Sequence, residues 1–378
     1  MIKRISYFSL LLVSLLSLAR CIDPYSAPVS NENVDILVID GFLNSTGNSA
    51  SVKLSKAIPL SVNQAYKREK KATVAIEEEN GAIYNLVEKD TGVYESSNMN
   101  INSLKKYQLH IRTEGGKEYR SDFIELKQSP PIDSVTWKPA IDGVTIYANT
   151  HDTSESTHYY QWTYSETWEY NSDFYSAFKI MNGTVVPRPP AESIYICWTT
   201  AASTKISINS TLRLSSDVVR DFSLTSIEKG SKKISRKYSI LVQQKALTEQ
   251  AYSYWQQLQK TTENLGGLFD PLPYRLLSNV YNVNDSSEPV LGYFNGGGVS
   301  EKRIFISVTD LPNYLLSAYR SPCVQDTIPV NDISKYGSAT LLTSSVGEPI
   351  VTGYLTTSSS CIDCKANGGT TIKPEFWP

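Results

Sequence analysis

From residue 34 onward, apolar and polar positions alternate in short runs broken by turn residues, the period-two pattern of half-buried strands. Such runs fall at 34–39, 50–54, 72–77, 82–86, 92–95, 107–113 and 119–126, with Asn80-Gly81 and Gly115-Gly116 between them as hairpin signals. Seven short strands over 34–128 predict an immunoglobulin-like or carboxypeptidase-regulatory-like β-sandwich. Gln128-Ser129-Pro130-Pro131 closes it, because paired prolines cannot continue a hydrogen-bonded ladder.

A second β-rich domain is predicted over 132–378. Strand-like runs at 132–137 and 143–147 lead into the densest aromatic run of the chain, Tyr159-Tyr160-Gln161-Trp162-Thr163-Tyr164-Ser165-Glu166-Thr167-Trp168-Glu169-Tyr170. Alternation gathers Tyr160, Trp162, Tyr164, Glu166, Trp168 and Tyr170 on one face. Two readings of that face stand: a core strand packed on a second sheet, or an aromatic platform open to a ligand or partner. A mixed reading joins them. It puts Trp162 in the core and lets the far end, Trp168, Tyr170, Phe174 and Tyr175, emerge as a binding surface where polar Asn171, Ser172 and Asp173 begin. Residues 171–193 read as loop. Further strands are predicted at 195–199, 205–209 and 235–244, and a hairpin of 288–295 with 299–308 turning through Gly296-Gly297-Gly298. The one substantial helix is predicted at 248–263. Thr248 can cap it, Glu249 sits in its first turn, and Tyr252, Trp255, Leu258 and Gln259 share a face with Ala251 at its edge. From Leu311 the chain reads as a loop-rich tail. The predicted fold class is mainly β: two sandwich-like units, the second with one helical insertion and a disulfide-stapled C-terminal tail.

The N-terminus carries a different pattern. Lys3 and Arg4 precede residues 5–19, apolar apart from serines and one tyrosine. That stretch is short of the roughly 20 residues of a membrane-crossing helix and fits the apolar core of an export signal. Leu18-Ala19-Arg20-Cys21 then matches a lipoprotein cleavage site with Cys21 as the lipidated residue, apart from Arg20, where a small residue is usual. Residues 1–20 are read as a lipoprotein signal peptide, and 21–33, polar with two prolines, as the tether behind the lipid. Cleavage removes Lys3, Arg4 and Arg20, leaving 33 of the 36 basic side chains against 38 acidic ones, a net charge of −5. This balance attracts neither nucleic acid nor an anionic membrane surface, so anchoring falls to the lipid.

Export changes the reading of the cysteines. Cys197, Cys323, Cys361 and Cys364 form an even set, for which two structural disulfides are the leading expectation, in any of three connectivities. Cys361-Ile362-Asp363-Cys364 also invites a redox or a zinc reading. Against the first, Lys365-Ala366-Asn367-Gly368-Gly369 does not open the helix that a redox pair precedes; against the second, no other close cysteine pair completes a four-thiolate site. With only three histidines, His110, His151 and His158, a histidine-rich metal site is excluded. The sequence has no G-x-S-x-G, Walker-type phosphate loop, H-E-x-x-H or strand-led G-x-G-x-x-G, and no cofactor is expected. Glu166 on the aromatic face and Asp270 in a proline-held loop are the carboxylates on which a glycan hydrolase would have to rest.

Several motifs in order carry a resemblance: the lipobox-like Cys21, Val-Ile-Asp-Gly-Phe-Leu at 38–43, the aromatic strand from Tyr159 to Glu169, Cys197-Trp198 and Tyr238-Ser239-Ile240-Leu241-Val242-x-Gln244. Gly267-Leu268-Phe269-Asp270-Pro271-Leu272-Pro273, Pro289-Val290-Leu291-Gly292-Tyr293-Phe294, Lys302-Arg303-Ile304-Phe305-Ile306, Cys361-x-Asp363-Cys364 and Pro374-Glu375-Phe376-Trp377 follow. Over nearly the whole chain after residue 20, this resembles a Bacteroidota lipoprotein family catalogued as a domain of unknown function, DUF4249. The resemblance implies an outer-membrane lipoprotein encoded beside TonB-dependent receptors, and it brings no catalytic residues. The expected function is a non-enzymatic accessory or substrate-capture subunit of such a transporter, with the receptor as partner. The alternatives are a structural or assembly lipoprotein of a surface complex and, behind it, the hydrolase on Glu166 and Asp270.

Overall fold

The computed structural model describes residues 36–58, 67–263, 278–316 and 323–378. The signal stretch, the tether with Cys21, and the 267–273 loop with Asp270 lie outside the described residues. The first passage of the chain lays down β1 (Leu37–Asn44), β2 (Ser49–Lys56), β3 (Thr73–Glu78), β4 (Ile83–Asp90), β5 (Val93–Ser96), β6 (Lys106–Arg112), β7 (Glu118–Ser121) and β8 (Ile124–Glu125). Next come β9 (Ile132–Ala140), β10 (Gly143–His151), β11 (Tyr159–Asn171), β12 (Phe178–Met181), β13 (Thr184–Pro187), β14 (Ile196–Ala202), β15 (Ser207–Ser210), β16 (Val218–Glu228) and β17 (Lys237–Ala246). Helix α1 (Glu249–Thr262) leads to β18 (Val280–Asn282), β19 (Val290–Gly297) and β20 (Val299–Ser307). The short helix α2 (Asn313–Leu316) precedes β21 (Asp326–Pro329), β22 (Leu341–Val346), β23 (Gly353–Thr356) and a single helical turn, α3 (Ser359–Ile362).

The fold is mainly β, as the alternation predicts. Both hairpin signals of the first unit hold: β3 and β4 turn at Asn80-Gly81, with Asn80 in the left-handed region, and β6 and β7 turn at Gly115-Gly116. Its sheet runs β18-β7-β6-β3-β4-β5-β2-β1-β19 with β8 on β6, and it folds over on itself around one apolar core. Leu37, Ile39 and Leu43 of β1 face Tyr107, Leu109 and Ile111 of β6 through that core, as alternating inward positions must.

The sheet takes two strands, β18 and β19, from within the stretch read as the second domain, between β17 and β20. β19 pairs in parallel with β1 from Leu37↔Val290 to Asn44↔Gly297, and β18 pairs with β7. The break at Gln128 therefore divides only the first passage of the chain. The hairpin expected at Gly296–Gly298 is not one. β19 belongs to the first unit, while β20 crosses into the second and pairs with β17. Gly292, at φ +98°, lies so close to Ile39 that a Cβ would overlap the Ile39 carbonyl, so only glycine fits this register. The two ends of the sheet meet at Asn279, just before β18. Its Nδ2 donates to the Phe294 carbonyl at 2.8 Å and its Oδ1 accepts the Phe294 N–H at 2.9 Å, so a side-chain amide stands in for a neighbouring strand's peptide.

In the second unit the three-stranded sheet β16-β10-β9 packs on the five-stranded sheet β14-β11-β17-β20, with β15 also on β11. The tail is more ordered than its composition suggests. β21, β22 and β23 join the β12–β13 hairpin in a further five-stranded sheet with its own small core. That hairpin lies in the stretch read as loop and turns at Asn182-Gly183, both with positive φ (+50° and +73°), as a tight hairpin turn demands. Helix α1 forms as expected: Thr248 Oγ1 accepts the Ala251 N–H, and Glu263 caps the other end. Its buried residues are Ala251 and Tyr254; Trp255 is half-buried, edge-on to Tyr254.

Candidate functional site

The aromatic strand β11 is core for most of its length. Trp162 is 0% exposed, stacked between Tyr160 and Phe222, and its Nε1 donates to Gln244 Oε1 at 3.0 Å. Gln244 Nε2 in turn donates to the Pro130 carbonyl at 2.8 Å and to Thr150 Oγ1 at 3.1 Å, tying β17 to β10 and to the segment between the units. Glu166, a candidate hydrolytic carboxylate, is buried and already committed: Lys233 Nζ lies 2.6 Å from one oxygen, and the Tyr238 hydroxyl donates to the other at 2.7 Å. Burial and that carboxylate push the Tyr238 phenol far above its ordinary range, so it stays a proton donor.

The four residues of the expected binding surface separate. Tyr170 is 2% exposed, and its hydroxyl donates to the Cys364 carbonyl at 2.7 Å, so it is core and does not emerge. Trp168 is half-buried, with the Lys233 ammonium 5.2 Å from its ring centroid. Phe174 is half-buried, its N–H bonded to the Cys361 carbonyl at 3.0 Å. Tyr175 alone is open, 47% exposed and edge-on to Tyr195. What covers the strand's end is the C-terminal segment, brought there by the disulfides. Cys197 pairs with Cys364, and Cys323 with Cys361, with Cα separations of 5.7 and 6.0 Å. The two cysteines of the C-x-x-C motif thus serve different bridges, which closes the redox-pair reading. Asp173 Oδ2 lies 3.0 Å from Cys323 Sγ, but that sulfur and Cys361 Sγ are bonded to each other and are not free metal ligands.

A concave feature lies elsewhere, between α1 and the first unit. It is a cleft of about 790 Å³. Its helix wall offers Glu249, Gln250, Ser253, Tyr254 and Gln257; the opposite wall offers Asp122, Phe123 and Ile124, then Tyr293 and Asn295 from β19. Tyr254 and Tyr293 stack with ring centroids 4.8 Å apart. Burial pushes both phenols up to about 12, so both are neutral hydrogen-bonding groups at ordinary pH. Lys106 sits at the rim, 3.3 Å from Glu125. At the base, Asn279 holds β19 by the paired bonds to Phe294, and the next residue, Asn295, points the other way along the strand. Asn295 is 5% exposed, and among the described residues its Nδ2 has no hydrogen-bond partner. Sequence reasoning missed this site. The signal that could have found it is Asn295 itself, a strand-averse amide directly after Val290-Leu291-Gly292-Tyr293-Phe294.

Fold and site together define a mainly-β, disulfide-stapled protein of two units with a polar cleft at their junction. A family model described as a domain of unknown function, DUF4249, matches residues 22–303, and the chain belongs to this family. The match takes in every residue named in the cleft and ends before the β21–β23 sheet and three of the four bridged cysteines. No curated protein matches the chain.

Proposed function

We propose that this protein is an outer-membrane lipoprotein, anchored through Cys21, that captures a ligand for a TonB-dependent transporter without chemically changing it. The observation that carries the reading is the cleft between α1 and the first unit: a large concavity lined by amides, hydroxyls and tyrosines, suited to holding a polar molecule. The two disulfides support an oxidising, exported setting. The transporter as partner follows from the family resemblance, and Tyr175, with its chain neighbour Phe174, is the aromatic surface offered to it. Affinity purification of the tagged protein from detergent-solubilised outer membranes tests the reading. Near-stoichiometric recovery of a barrel receptor is expected; its repeated absence would return the chain to the structural-lipoprotein alternative.

A further inference from the structure

The cleft's chemistry narrows what it can hold. We propose that its ligand is a neutral, polyhydroxylated molecule, a short oligosaccharide, with the Asn295 amide as the buried anchor. This rests on the capture reading above and deepens it.

The volume, about 790 Å³, falls in the range of roughly 300–1,000 Å³ typical of small-molecule sites. The lining argues against an apolar ligand, since only Phe123 and Ile124 lack a polar side-chain atom. It also argues against an anion: Asp122, Glu125 and Glu249 outnumber the single cation, Lys106, which already pairs with Glu125. A simple cation would satisfy the carboxylates but leave the Asn295 Nδ2 donor unanswered, and a buried donor without an acceptor is the state proteins avoid. The ligand must therefore accept from Asn295 and donate to the Asp122 and Glu249 carboxylates. A hydroxyl does both, and neighbouring hydroxyls on one ring meet several such groups at once. The tyrosines complete the match. Neutral phenols add further donors and acceptors, while the half-buried Tyr293 ring, backed by Tyr254, gives the C–H face of a sugar an aromatic surface to lie against.

The test uses the full chain in detergent on an array carrying neutral, sialylated, uronate-bearing and amine-bearing glycans, followed by titration of the best-retained glycan. Retention of neutral oligosaccharides is expected. Asn295→Leu removes the anchor, and Ser253→Trp, at an exposed helix position, fills the cleft without touching the core. Each should weaken binding at least tenfold, and the Ser253→Trp melting temperature should stay at the wild-type value, which guards against loss of binding through misfolding. No retention of any neutral glycan, retention only of charged ones, or wild-type affinity in Ser253→Trp would overturn the proposal. Co-purification of the transporter is scored separately on the wild type, so failure there strikes the capture-subunit reading and not the ligand class.

Discussion

Replacing Trp162 with alanine separates a core aromatic strand from a binding platform, and its cost can be worked from the structure. The indole is 0% exposed, held between Tyr160 and Phe222, so truncation leaves a large cavity between two sheets. Burying an aromatic side chain of this size and then deleting it costs about 3–5 kcal/mol. The Gln244 Oε1 that accepted from Trp162 is left in a dry site, adding about 1 kcal/mol. Together this is about 5 kcal/mol, a large share of the roughly 5–15 kcal/mol that holds a domain folded. For a unit of this size it corresponds to a melting temperature lower by roughly 10–20 °C. Trp168→Ala is the internal control. That ring is only half-buried, and its alanine variant should lose about 1–2 kcal/mol, part of it the Lys233 cation–π contact. Urea titration followed by circular dichroism, with the disulfides intact, measures both variants. A loss below 2 kcal/mol for Trp162→Ala, or equal losses for the two, would refute the placement of this strand's centre in the core.

Other outcomes follow from the same geometry. The Cys197–Cys364 bridge closes a loop of 167 residues and Cys323–Cys361 one of 38. Serine replacement should cost up to about 5 kcal/mol at the first and up to about 4 kcal/mol at the second, with the order read from urea midpoints. Burial works against ionisation of Asp152, but hydrogen bonds from Ser154, Ser156 and Thr157 outweigh it and hold the carboxyl at about 2. A carboxyl lowered on folding stabilises above its unfolded value and loses that stability as pH falls through the folded one. The wild type should therefore lose on the order of 1–2 kcal/mol between about pH 4 and pH 2 that Asp152→Asn does not lose; parallel acid titrations of the two would refute this. Cys21→Ala should abolish incorporation of an alkyne fatty acid, and a wild type that takes up no label would show that Arg20 defeats the lipobox. A fragment of residues 36–128 lacks β18 and β19 and should give an unfolded circular dichroism spectrum; a folded one would mean β1 needs no parallel partner.

What the sequence disclosed was local. Alternation picked out β11 and put Trp162 on a core face; Thr248 marked the start of α1; Asn80-Gly81 marked a hairpin. Each rests on neighbours within a few positions. The errors came from contacts across long separations. Tyr170 looked ready to emerge because Asn171, Ser172 and Asp173 follow it, but a segment 194 residues away lies over its hydroxyl. Gly296-Gly297-Gly298 looked like a turn because the runs on either side alternate, and nothing local reveals that they belong to different sheets. β16, whose Asp221 sits at positive φ within a register shift, broke the alternation that would have announced it. The cleft was hidden for the same reason: its walls are a helix and two strand regions far apart in the chain, and only Asn295 betrays it locally.

The parallel pairing of β1 with β19 also sets a timetable. Leu37 and Val290 are partners 253 positions apart. A chain emerging N-terminus first exposes an unpaired β1 edge while the strands from β9 to β17 and helix α1 are still being delivered, and such an edge invites pairing with another chain. The first unit to appear is thus completed only after most of the second has been delivered. Its closure waits for two strands, β18 and β19, and for one amide, Asn279, that ties β19 to the segment leading into β18. Because β19 carries Tyr293 and Asn295 into the cleft, a half-delivered molecule has no binding site to offer, and ligand can be held only once that strand is in place.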